Sequence, residues 1–193
     1  MKESWFEQCW KLQSFTFFKN VSSVNNFQYM FIGCSAMTTL TFWETSTSKI
    51  LGKNFCNGCV KLATLINFPQ DLTEIRYNAF FQCPITSISL NEGITTLGYQ
   101  AFAQTKLDNI TLPSTLTTMG GSELSDTTTP RWAKCLATTP PNGCNAWSFK
   151  NGGTYPIYVP DASLDTYKAA SGWSNFSSRL KALSTWSTDF PNG

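Results

Sequence analysis

Apolar residues recur along this chain in four columns. With Cys9, Cys34, Cys59, Cys83 and Thr105 as register marks, the steps are 25, 25, 24 and 22 residues. Three residues before each mark stand Phe6, Phe31, Cys56, Phe80 and Phe102; two or three after it stand Leu12, Met37, Leu62, Ile85 and Leu107. An alternating segment follows, with Phe15 and Phe17, Leu40 and Phe42, Leu65, Ile88 and Leu90, then Ile110 and Leu112. A pair at a spacing of three closes the unit: Val21 and Val24, Leu72 and Ile75, Ile94 and Leu97, Leu116 and Met119. Alternation over a few residues predicts a short strand with one buried face. Pro69 and Pro113 end two such strands, and Gly93 and Gly98 supply turns. No unit can bury its apolar face alone, so the units are expected to stack strand beside strand around one continuous core. Cysteine at the mark reads as a small apolar filler of that core. Ile66-Asn67-Phe68 breaks the alternation and predicts a bulge or a shift of register.

Beyond residue 120 the pattern loosens. Residues 120–131 read as an exposed loop, Trp132–Leu136 as the next strand, and Asn145–Phe149 as a divergent Ala-Phe element. Pro156–Pro160 reads as a last short strand. Asp161 is a suitable N-cap for a helix carrying Leu164 and Tyr167; Trp173, Phe176, Leu180 and Leu183 form a second helical stripe.

Repeats of 20–29 residues with L-x-x-L-x-L character are leucine-rich repeats. The version here resembles the BspA-like family. The residues that carry the resemblance are Leu107–Gly120, the Ala-Phe elements Asn78–Cys83 and Gln100–Thr105, and Met30-Phe31-Ile32-Gly33-Cys34-Ser35. The passage from Tyr158-Val159-Pro160 to Asn175-Phe176 is similar to the C-terminal cap of such proteins from gut Bacteroidales. The expected fold is a solenoid poor in regular helix. It is a leucine-rich-repeat stack with short parallel strands, an irregular, turn-rich convex side and a C-terminal helical cap. Repeats fill 1–160, with units near 5–29, 30–54, 55–79, 80–101 and 102–124 and a divergent 131–160; the cap is 161–185 and a tail 186–193. The first unit starts inside a repeat, so either Trp5 and Trp10 cap it or the chain is a fragment. The fragment is the favoured reading, because it also accounts for the missing signal peptide.

Composition narrows the function. Charged residues are 13% of the chain and the net charge is +2, which gives no electrostatic reason to expect nucleic acid. No apolar run is long enough for membrane insertion. Histidine is absent, which removes Ser-His-Asp and Cys-His catalysis and His-ligated metal. Of the seven cysteines, four occupy one repeat position, so Cys56-Asn57-Gly58-Cys59 reads as structural, and neither metal nor cofactor is expected. The twelve carboxylates nominate no acid-base pair, and no enzyme activity is expected.

The outward strand positions are the candidate ligand-binding site: Thr39, Thr41, Trp43, Thr64, Ser87, Ser89, Asn91, Asn109 and Thr111. They would form a weakly charged, hydroxyl-rich sheet face. Threonine also simply suits strands, and Trp43 could equally pack sideways against Phe18 or Phe68. The resemblance implies a non-catalytic protein-interaction and adhesion module of a cell-surface or secreted protein, with a host or matrix protein or a glycan as partner. The alternatives are a structural spacer, a glycan-binding accessory module of a larger protein, or a phage virion component.

Overall fold

A computed structural model of the chain describes residues 4–17, 27–42, 49–127, 130–150 and 154–191. Its regular structure is short and almost all β. The principal strands are β1 (Ser14–Thr16), β2 (Thr39–Thr41), β4 (Thr64–Ile66), β7 (Asn109–Leu112), β9 (Trp132–Cys135), β10 (Ile157–Val159) and β11 (Leu180–Ala182). They pair in parallel as β1-β2-β4 and as β7-β9-β10-β11. The register runs Ser14–Thr39–Thr64 and Phe15–Leu40–Leu65, so equivalent residues of successive repeats lie side by side. The apolar pairs at a spacing of three build a second parallel sheet: β3 (Ile50–Leu51), β5 (Glu74–Ile75), β6 (Thr96–Leu97) and β8 (Thr118–Met119).

The Phe-x-x-Cys turns close the third side with their own backbone ladder. Phe31 N–H donates to Phe55 O at 2.8 Å, Cys56 to Ala79 O at 2.8 Å, Phe80 to Ala101 O at 2.9 Å and Phe102 to Glu123 O at 2.9 Å. Making each turn requires a left-handed residue just before the mark. Gln8, Gly33, Gly58, Gln82, Gln104 and Asp126 all have φ between 55° and 76°. The three sides enclose Phe31, Phe55, Phe80, Phe102, Leu40, Ile75, Leu97 and Ile110, all at most 1% exposed. Phe80 and Phe102 stack with ring centres 5.7 Å apart and planes 4° off parallel. Each such ring contributes roughly 1.5–3 kcal/mol through burial.

Several expectations are corrected. Ser87–Leu90 forms no strand, so the principal sheet divides between β4 and β7. The division follows Asn67, whose φ of 53° turns the chain off the strand direction. Its alternation-breaking neighbourhood therefore splits the sheet instead of adding a residue to one pairing. Leu180 does not continue a helix: Leu180–Ala182 is β11, hydrogen-bonded to β10. Asp161 does not cap the helix that follows; its Oδ1 accepts the backbone N–H of Ser184 at 2.9 Å. Cys9 is exposed, whereas Cys34, Cys59 and Cys83 are buried as expected. Trp5 and Trp10 are exposed.

The chain then covers the core's far end. Helix α1 (Leu164–Ala169) and the 3-10 turn Trp173–Phe176 bring Tyr167, Trp173 and Phe176 together. Trp173 and Phe176 lie 5.4 and 5.3 Å from the Phe149 ring. Burying aromatic rings requires partners for their polar ends. Trp173 Nε1 donates to Pro141 O at 2.9 Å and the Tyr167 hydroxyl to Ala137 O at 2.7 Å.

Candidate interaction face

Strand alternation sends one residue set into the core and its neighbours to the outer face of the principal sheet. Parallel register then turns those neighbours into rows. One row is Ser14, Thr39 and Thr64; the next is Thr16, Thr41 and Ile66. Ser14, Thr16, Thr64 and Ile66 are exposed, and Thr39 and Thr41 half-buried between them. Ser87 and Ser89 are exposed where the sheet divides, and Asn109 and Thr111 are half-buried on β7. The structure thus brings Thr39, Thr41 and Thr64 into one surface and carries Ser87, Ser89, Asn109 and Thr111 along the same side of the repeats. Trp43 and Phe18 lie outside the described residues. Asn91 does not join the row: its Nδ2 donates to Leu72 O at 2.9 Å, which ties one repeat to the one before.

At the division the core comes near the surface. Leu65, Phe68 and Ile88 are only half-buried, and with Ser87, Ser89 and Gln70 they line a cavity of about 490 Å³.

Past β7 the face changes. The row continues as Thr111, Lys134, Tyr158 and Lys181, and Trp132 stands beside Asn109. Tyr158 points outward from its strand yet is fully buried, and Trp132 is 7% exposed. Their cover is the chain's own C-terminal segment, a 3-10 turn at Leu183–Thr185 followed by α2 (Trp186–Asp189) and Phe190. Trp186 packs edge-on to Trp132 at 5.5 Å, and Lys134 Nζ sits 3.2 Å from the Trp186 ring centre. Partial burial pulls the Lys134 pKa down. Sequence reasoning missed this cluster. The signal was present for three of its members, since the alternation that buries Ala133, Cys135, Ile157 and Val159 points Trp132, Lys134 and Tyr158 outward. Reading Leu180 as helical hid Lys181.

Cys34, Cys56, Cys59 and Cys83 are fully buried, and burial pushes the Cys34 thiol up to about 12 and those of Cys56 and Cys83 well above their ordinary value. Glu123, 1% exposed, is a buried carboxyl pushed up to about 7 by desolvation. Among the described residues, no group of three or more cysteine or carboxylate side chains is placed to hold a metal ion, and no helix is long and apolar enough to cross a membrane.

Comparison with known proteins agrees with this geometry. The family described as BspA type leucine rich repeat region matches in six copies, over residues 1–80 and 28–131. Among solved structures, the leucine-rich repeat protein of T. pallidum is similar at 18% identity and a TM-score of 0.57, over 84% of this chain and 66% of that one. A leucine-rich repeat protein from Bacteroides ovatus ATCC 8483 is similar at 19% identity and a TM-score of 0.49, over 71% of this chain and 43% of that one. The chain thus spans less than two thirds of either structure's own length. No curated protein matches it.

Proposed function

Because this chain belongs to the BspA-type leucine-rich repeats, whose repeat domains generally serve as protein-interaction scaffolds, we propose that it is a non-catalytic adhesion module of a cell-surface or secreted protein. Its partner is a protein of the host or matrix, held on the outer face of the principal sheet from Ser14 to Thr111. The observation that supports this reading is the pair of aligned rows Ser14–Thr39–Thr64 and Thr16–Thr41–Ile66. Five of the six side chains are short hydroxyls with little rotamer entropy to lose on contact, and the sixth is the exposed Ile66. The C-terminal third of the same face is covered by the chain's own residues 183–190, so the open part is the repeats before β9.

A binding panel of immobilised extracellular-matrix and serum proteins tests the proposal. Thr39→Glu combined with Thr64→Glu places two carboxylates on the face. At least one panel member should bind the wild type, and the double variant should weaken that binding at least tenfold. Thr117→Glu, an exposed position beside the second sheet, should leave it unchanged. Equal loss in both variants, or no binding by the wild type, would overturn the reading.

A further inference from the structure

The turn side of the stack carries a second column of outward side chains. Six residues before the marks Cys59, Cys83, Thr105 and Thr127 stand Lys53, Tyr77, Tyr99 and Gly121. Tyr77 and Tyr99 stack with ring centres 5.6 Å apart and planes 14° off parallel, and Lys53 Nζ lies 5.2 Å from the Tyr77 centre. Both rings remain about two-fifths exposed, at 40% and 39%. At Gly121 the column loses its side chain and the Asn145 amide takes that place; beside Tyr99 and Asn145 lies a cavity of about 350 Å³. That volume lies at the small end of the range for ligand pockets. Gln100, Ser122, Ser125, Asp126, Asn145 and Trp147 complete its lining.

The lining has a definite chemical character. Tyr99 and Trp147, the latter 55% exposed, offer aromatic surface to solvent. Around them stand two amides, two hydroxyls and one carboxylate, and Lys150 Nζ lies 3.6 Å from the Trp147 ring centre. The Asn145 amide is oriented: its Oδ1 accepts the Trp147 N–H at 2.9 Å, and its Nδ2 fills the space that a side chain at Gly121 would need. Phosphate or another anion would meet the Asp126 carboxylate, and Lys150, the cation next to the cavity, is engaged over the Trp147 ring. A purely apolar side chain would leave the amides and the carboxylate unpaired. A sugar ring satisfies both sets of groups. Its axial C–H bonds meet the electron-rich face of an aromatic ring, and its hydroxyls donate to a carboxylate and exchange hydrogen bonds with amides.

We propose that this cavity at the end of the Tyr77–Tyr99 column is a carbohydrate-binding site, separate from the sheet face. One pyranose ring sits in the cavity against the exposed surface of Tyr99, with its hydroxyls held by Asp126, Gln100 and Asn145. The probes are neutral soluble polysaccharides (laminarin, galactomannan, xylan, arabinogalactan and dextran) cast into native gels. At least one should retard the full chain. Tyr99→Ala should lower the association constant at least tenfold, and so should Asp126→Asn, which keeps a residue tolerant of the left-handed φ of 55° at that position. Thr39→Glu combined with Thr64→Glu should be retarded as strongly as the wild type, each measured against its own mobility in a gel without polysaccharide, which separates this site from the sheet face. Retardation by none of the polymers, or wild-type retardation of Tyr99→Ala, overturns the proposal.

Discussion

The hydroxyl of Tyr158 donates to Asp189 Oδ2 at 2.5 Å, joining an outward residue of strand β10 to the last residue of helix α2. Lys181 Nζ reaches the same oxygen at 2.8 Å. The acidic neighbour and burial together push the Tyr158 pKa upward, and the two donors hold Asp189 below the usual carboxylate range. The C-terminal segment is therefore clasped to the sheet by a charged hydrogen bond at one end and by Trp186 on Trp132 and Lys134 at the other. Trp186→Ala removes the aromatic half of this clasp and should cost about 1–3 kcal/mol in urea unfolding. The variant should also leave Trp132 open to acrylamide quenching. An unchanged midpoint with unchanged quenching would show that the segment contributes no cover.

Glu123 makes the fold sensitive to pH. Its Oε1 accepts the Gly121 N–H at 2.5 Å, while Oε2 is buried without a partner. Desolvation outweighs the hydrogen bonds and raises its pKa from 4.5 to about 7. The native state therefore holds a proton that the unfolded chain has released, so stability falls as pH rises between those two values. Its contribution is complete below about pH 4.5 and lost once the pH passes about 7. The difference is about 3 kcal/mol. Urea midpoints at pH 5 and pH 7.5 should thus favour the lower pH. Glu123→Gln should remove this part of the slope and stabilise the chain at pH 7.5.

Much of this was legible because a repeat states the same fact several times. Phe31, Phe80 and Phe102 stand at one position relative to the mark, and all three are buried. Parity along a strand likewise placed Thr39, Thr41 and Thr64 outside. What failed were positions decided by a single distant neighbour. Leu180 and Leu183 fit a helical spacing as well as Leu180 and Ala182 fit a strand, and only pairing with β10 decides between them. Ser87–Leu90 has strand alternation, but its sheet neighbour turns away at Asn67. Asn91 is claimed by the carbonyl of Leu72, nineteen residues back.

The cysteine column stitches repeats together, which makes thiol reactivity a reporter of the stack. Cys34 Sγ donates to Phe6 O at 3.0 Å, Cys59 to Phe31 O at 3.0 Å and Cys83 to Cys56 O at 3.1 Å, each reaching the preceding repeat. Thr105 at the same mark bonds within its own repeat instead, to Phe102 O at 2.8 Å. Cys9 is exposed and the other six are buried, with Cys135 and Cys144 held up to about 11 and 12 by desolvation. A thiol reagent such as DTNB should therefore titrate one cysteine in the native chain and all seven in denaturant. Side-chain hydrogen bonds from Cys56 and Cys83 draw the Cys59 thiol the opposite way from its buried neighbours.

Two glycines should respond to substitution to very different degrees. Gly98 N–H donates to Ile75 O at 2.7 Å, and this ladder bond draws its α-carbon down onto the preceding repeat. A Cβ there would stand 2.5 Å from the carbonyl carbon of Arg76 and 3.0 Å from its Cα, all backbone that cannot swing aside. Gly58 has a φ of 76°, which alone suggests intolerance, yet a Cβ there would meet nothing nearer than 3.8 Å. The same place in later repeats is held by Gln82 and Gln104 with φ of 62° and 58°. Gly98→Ala should therefore cost about 2–4 kcal/mol, because the stack must part to admit a methyl group. Gly58→Gln should cost no more than about 1 kcal/mol, the ordinary cost of a left-handed side chain. Paired urea melts decide the matter: a larger loss at Gly58 than at Gly98 would mean that backbone conformation, not the spacing between repeats, fixes where glycine is required.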